Sequence, residues 1–206
     1  MISDSIANFW SAFRVEAVAL TQEPDSRSAA FDRLLDRLQA IDRGLWLEVG
    51  SPEPGAAPDA PFELIVTADG KRKLFALVHE VVAAAPTVEG WVIRALKPKL
   101  GFPVTTRWEG YTLRIADVFF LPLWRGGTDE LGLRLLVRGL DPRQSDDAHN
   151  AVLRAMDHGI GEERLAETVH YTEVRPLEDE GAGADIHPLV ELDAFIRSLG
   201  RSEFLQ

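Results

Sequence analysis

The chain has 206 residues, 46% of them apolar, a net charge of −11 and no cysteine. That length and hydrophobicity can bury a substantial core, and the lack of thiols excludes disulfides, thiol nucleophiles, zinc–thiolate sites and iron–sulfur clusters. The acidic balance repels phosphate backbones, so no nucleic-acid partner is expected, and no apolar run approaches the roughly 20 residues of a membrane helix.

The start, Met1-Ile2-Ser3-Asp4, lacks the basic stretch and apolar run of a signal peptide, so a cytoplasmic protein is expected. Residues 160–206 carry 11 acids against 4 arginines. Solubility accounts for such a surplus, and an acidic surface for a cationic partner is the alternative.

In chain order, residues 5–20 place Ile6, Phe9, Trp10, Phe13, Ala17 and Leu20 on one helical stripe. Glu23-Pro24-Asp25 ends that helix. A second helix is expected from Ser28 to Asp42, with Gly44 as its stop. Residues 1–44 thus read as a helical hairpin.

Leu45, Leu47 and Val49 alternate with Trp46 and Glu48, the pattern of a half-buried strand. The Pro/Gly/Ala-rich stretch 51–61 reads as a loop. Phe62 to Ala68 is the next strand, Asp69-Gly70 turns the chain into a helix ended by Pro86, and Trp91 to Leu96 returns as a strand. A strand, helix and strand in that order predict a parallel crossover.

The same pattern recurs over residues 111–177. Tyr111 to Leu121 opens it, with Pro122 marking an edge or an end. Arg125-Gly126-Gly127-Thr128-Asp129 is a hairpin turn leading to Leu131, Leu133, Leu135 and Val137 on one face. Ser145 with Asp146 and Asp147 predicts an N-capped helix running to His158, stopped by Gly159 and Gly161. Residues 168–175 form the last strand, and Pro188 opens a final helix over 187–200 that Gly200 stops.

The expectation is therefore an α+β fold in one domain, residues 1–206. Two strand-strand-helix-strand units, 45–98 and 111–177, share one mixed, mostly antiparallel sheet with helices mainly on one face.

Phe9-Trp10 with Phe13, the run Glu63 to Gly70, Ala85-Pro86 with Gly90-Trp91, and Ala95-Leu96-Lys97-Pro98 together resemble an uncharacterised family of bacterial cytosolic proteins. The resemblance covers roughly residues 5–100 and, beyond them, the strand order and the Gly161-Glu162 turn. It implies a bacterial, cytosolic protein and brings no activity or ligand.

Catalytic patterns are weak. The five histidines, His79, His149, His158, His170 and His187, form no HxxxH or HExxH spacing, so no metal is expected. His149 shares a helix face with Val152, Leu153 and Met156, which suits a satisfied, part-buried histidine. No G-x-S-x-G elbow is present. Asp69-Gly70-Lys71-Arg72-Lys73 could hold an anion at a helix start, but it lacks the P-loop pattern and reads as a solvated first turn. Gly159-Ile160-Gly161 reads as a helix end rather than a dinucleotide cradle, so no cofactor is expected.

The candidate site is the sheet face away from the helices, presenting Trp46, Glu48, Arg94, Arg114, Arg134 and Arg138. Arginines there can take an acidic ligand beside an aromatic wall, or neutralise Glu48 and Glu63 in a ladder. The leading expectation is a non-enzymatic binding or regulatory protein for a protein or small acidic ligand. The alternatives are a metal-independent hydrolase or transferase with Glu48 or His170 as base, and an assembly protein dimerising through Phe102, Trp108 and Trp124.

Overall fold

The computed structural model describes residues 2–22, 28–50, 57, 59–181 and 183–202. The expected break at Glu23-Pro24-Asp25 and most of the expected 51–61 loop lie outside them. The chain divides between Lys97 and Pro98 into two compact units. None of the described helices is long and apolar enough to cross a membrane.

The first unit opens with α1 (Ile2–Gln22), which buries the expected stripe of Ile6, Phe9, Trp10, Phe13, Ala17 and Leu20. The aromatic part of that stripe fixes its docking. Trp10 Nε1 donates to the Val81 carbonyl at 2.8 Å, and Phe13 meets Trp91 edge-on at 5.1 Å between centroids. A buried indole N–H needs such a partner, so the bond sets α1 against the helix that carries Val81 as well as satisfying the donor.

Helix α2 (Ala29–Gln39) starts at Ser28, whose hydroxyl accepts from the Phe31 N–H. It ends at Gln39, short of the expected Asp42. Asp42 instead accepts from the Gly44 N–H in a tight turn. Gly44 serves close packing, since a Cβ there would lie 2.5 Å from Leu74 Cδ1.

Strand β1 (Trp46–Gly50) pairs antiparallel with β2 (Phe62–Thr67), and β2 pairs parallel with β3 (Trp91–Ala95) across α3 (Phe75–Ala83). The turn before α3 uses Asp69 and Gly70 at φ 53° and 76°, closed by Lys71 N–H to the Ala68 carbonyl. Two successive positive φ values define a type I′ turn, which Asp and Gly adopt at low cost. Leu96 follows β3 at φ +61° while buried, an uncommon conformation for a leucine, and its N–H bonds the Val66 carbonyl.

The second unit begins with a small hairpin, β4 (Thr105–Trp108) and β5 (Tyr111–Arg114). The single strand expected over 111–121 is broken by a 3-10 turn at Ile115–Asp117. Strand β6 (Val118–Trp124) then pairs with β7 (Leu131–Val137) through the expected Gly-Gly turn. Helices α4 (Ser145–Ile160) and α5 (Glu162–Thr168) cross to β8 (Val169–Pro176), parallel to β7. The two-residue β9 (His187–Pro188) lies on the far side of β6, and α6 (Leu192–Ser202) closes the unit. Pro122 is tolerated inside β6 because β9 pairs only with Phe119 and Phe120, leaving no ladder bond at Pro122 to lose.

The core of this unit joins Phe120, Leu131, Leu133, Leu135 and Val137 to Ala151, Val152, Ala155 and Met156 of α4 and to Leu192 and Ile196 of α6. The strand alternation was legible in the sequence; three helix ends were not. Ser145 is the first helical residue rather than the cap. The cap position of α4 is Gln144, without a side-chain bond, and Asp141 instead caps the 3-10 turn feeding α4 by accepting from the Arg143 N–H. Gly159 lies inside α4, and Gly161 ends it at φ +87°. Helix α6 continues through Gly200 to Ser202.

The fold is α+β, with the helical hairpin and the C-terminal helix as expected. Strands β1-β2-β3 and β6-β7-β8 have the same order and sense. They do not form one sheet, however. The described residues form a three-stranded sheet, the β4–β5 hairpin and a four-stranded sheet in the order β8-β7-β6-β9. Pattern fixes which residues are strands, but sheet membership depends on which edges meet.

Candidate binding surfaces

Three separate sheets dissolve the single arginine platform. Trp46, Glu48 and Arg94 share the outer face of the first sheet, as the register Glu48↔Ile65↔Arg94 requires. Arg114 ends the β4–β5 hairpin, and Arg134 sits on β7 of the four-stranded sheet. Arg138 lies just beyond β7, over the Phe119 ring at 5.4 Å.

On the first sheet the charges pair across neighbouring strands. Arg94 Nε donates to Glu63 Oε1 at 2.8 Å, and Lys97 Nζ reaches Asp69 at 2.7 Å and Glu48 at 3.9 Å. Glu48 and Glu63 share the face but stand diagonally, opposite Ile65 and Gly50. Glu63 has Arg94, whereas Lys97 is shared between Asp69 and Glu48. Trp46, 42% exposed, stands beside these pairs.

On the four-stranded sheet, β8 and β9 are opposite edges, and the described residues of 177–186 lie between them in the chain. One of them, Glu180, reaches the face away from α4. Arg134 points to that face, because its neighbours Leu133 and Leu135 enter the helix-side core, and Glu180 Oε1 accepts from Arg134 Nη1 at 2.8 Å. Glu173 of β8 accepts from Arg134 Nε at 2.5 Å, and Glu178 accepts from the Gly139 N–H at 3.0 Å. The bond from Arg134 holds the Glu173 carboxyl below the usual carboxylate range, and the same bond raises the guanidinium.

Arg134 is thus a fastener for that segment, with two carboxylates already on it. Removing it leaves two part-buried carboxylates facing each other, at a cost of about 1–3 kcal/mol. Arg134→Ala should therefore speed amide exchange across the described part of 178–186 well before it affects β6 and β7. Uniform exchange changes throughout the unit would contradict a local fastening.

The remaining sequence candidates fall in different places. His170 is exposed on β8. His149 is half-buried, with Nε2 2.7 Å from Thr172 Oγ1, and burial lowers its pKa. Phe102 is committed inside the second unit, against Gly159 of α4. Trp108 and Trp124 are 36% and 51% exposed.

One cluster escaped the sequence reading. Asp193, in the first turn of α6 and 7% exposed, receives three cations. Lys99 Nζ lies 2.7 Å from Oδ2, Arg197 Nη2 2.5 Å from Oδ2, and Arg164 Nη1 3.2 Å from Oδ1. The Lys99 bond, aided by the Arg197 and Arg164 charges, holds the carboxyl below its ordinary range. The Asp193/Arg197 spacing of four was a legible helix pair. Lys99 and Arg164 come from other segments, and nothing local announces them.

Comparison with family models, curated proteins and solved structures finds no match to this chain.

Proposed function

We propose that this is a non-enzymatic binding protein that engages a protein partner through the outer face of the first sheet, with Trp46 and Arg94 as its contacts. The observation that supports this reading is the half-exposed Trp46 indole on a face whose charges are already paired. Trp and Arg dominate binding energetics at protein interfaces, and covering the exposed part of a tryptophan contributes roughly 1–2 kcal/mol. Pre-paired charges give such a surface orientation and register without an uncompensated ion to bury. A bacterial, cytoplasmic setting follows from the sequence resemblance described above.

Trp46→Ala and Arg94→Ala should each weaken partner capture by on the order of tenfold, with the far-UV spectrum and melting temperature preserved. Arg114→Ala, on the separate hairpin, should leave capture unchanged. Retention of the same partners by all three variants would remove the first-sheet face from consideration.

A further inference from the structure

We propose that the Asp193 cluster is a binding site for a phosphate-class oxyanion, distinct from the first-sheet face. Lys99, Arg164 and Arg197 bring three positive charges to one negative one. Their contacts with Asp193 use only part of their hydrogen-bonding capacity. The ammonium gives one of its three N–H groups, and the Arg164 guanidinium gives one of its five. Arg197 uses Nη2 on the carboxylate and Nε on the Asp193 carbonyl.

The carboxylate is buried while the cations are not. Their side chains are 45%, 36% and 57% exposed, against 9% for Asp193. The buried anion thus acts as an anchor that holds three mutually repelling cations in one place with donors left toward solvent. All three charged groups contact one carboxylate, at 2.7, 3.2 and 2.5 Å. Guanidinium forks match the oxygens of a phosphate group, and a lysine adds a point charge. The surplus is local in a chain whose net charge is −11, so general electrostatic attraction does not supply the site with anions; the arrangement must.

Backbone amide shifts of the intact chain, followed by NMR, would be titrated with inorganic phosphate at constant ionic strength, with chloride as the matched control. A simple phosphate monoester titrated in parallel distinguishes a free ion from a phosphorylated molecule. Saturable shifts centred on residues 99, 164, 193 and 197 with either phosphate species are expected, and the double variant Arg164→Gln/Arg197→Gln should weaken them at least tenfold. Arg143→Gln, which alters an exposed arginine paired with Asp141 elsewhere in the unit, should leave them unchanged. Equal shifts with chloride, no saturation at millimolar phosphate, or an undiminished response in the double variant would overturn the proposal. The wild-type titration decides the matter even if the double variant does not fold.

Discussion

Gly159→Ala should destabilise the second unit, although replacing glycine by alanine inside a helix ordinarily stabilises by about 0.5–1 kcal/mol. The added Cβ would lie 2.4 Å from two atoms of the Phe102 ring. The ring cannot flatten, so either it is forced off its rotamer or it leaves its seat on α4. Overpacking of this kind costs about 1–3 kcal/mol, and eviction forfeits the burial of a half-buried phenylalanine, roughly 1–2 kcal/mol.

Eviction also loosens the segment that carries the ring, whose Leu100 and Gly101 N–H groups bond the His158 carbonyl, each at 2.9 Å. The helix gain offsets only part of this. A net loss of about 1–2 kcal/mol is expected, which at roughly 4–8 °C per kcal/mol is readily seen in thermal unfolding. Phe102→Leu in the Gly159→Ala background should recover part of the loss, giving a non-additive double-mutant cycle. Strict additivity would show that the ring and the glycine do not share the contact.

Asp193→Ala should produce the largest electrostatic effect in the protein. It leaves three cations without their common anion and cuts the tie between α6, α5 and the segment around Lys99. Breaking a buried pair costs about 3–5 kcal/mol; the half-exposed cations here can turn to water, which reduces the expected loss to about 2–4 kcal/mol.

The effect depends on pH with a definite sign. The folded carboxyl titrates below its ordinary value, so as pH falls the unfolded chain binds the proton first. The stabilisation is therefore complete above about pH 4, the ordinary aspartate range, and is lost as pH falls through the lower folded value. The stability difference between wild type and Asp193→Ala should be flat around neutral pH and should narrow in strong acid. A difference that grew as pH fell would mean that the carboxylate is not what the cations hold.

The candidate surface shows why the sequence reading carried part of the way. Trp46, Glu48 and Arg94 do share a face, because alternation along a strand and parallel pairing across α3 are local rules. Arg114 and Arg134 do not join them. Their placement depended on the two units joining in one sheet, which periodicity along a strand does not encode. The contact of Glu180 with Arg134 was equally hidden, since it joins residues 46 positions apart.

By itself the sequence determined the helix stripes, the strand faces and the α+β class, since each follows from periodicity over a few neighbouring residues. Only the tertiary structure decided that the strands fall into three sheets, that Phe102 rests on Gly159, and that Asp193 gathers its cations. Those outcomes join residues as far apart as Lys99 and Asp193, 94 positions along the chain. Hydrophobic and charged side chains specify what must be buried or paired, but not which distant partner does it.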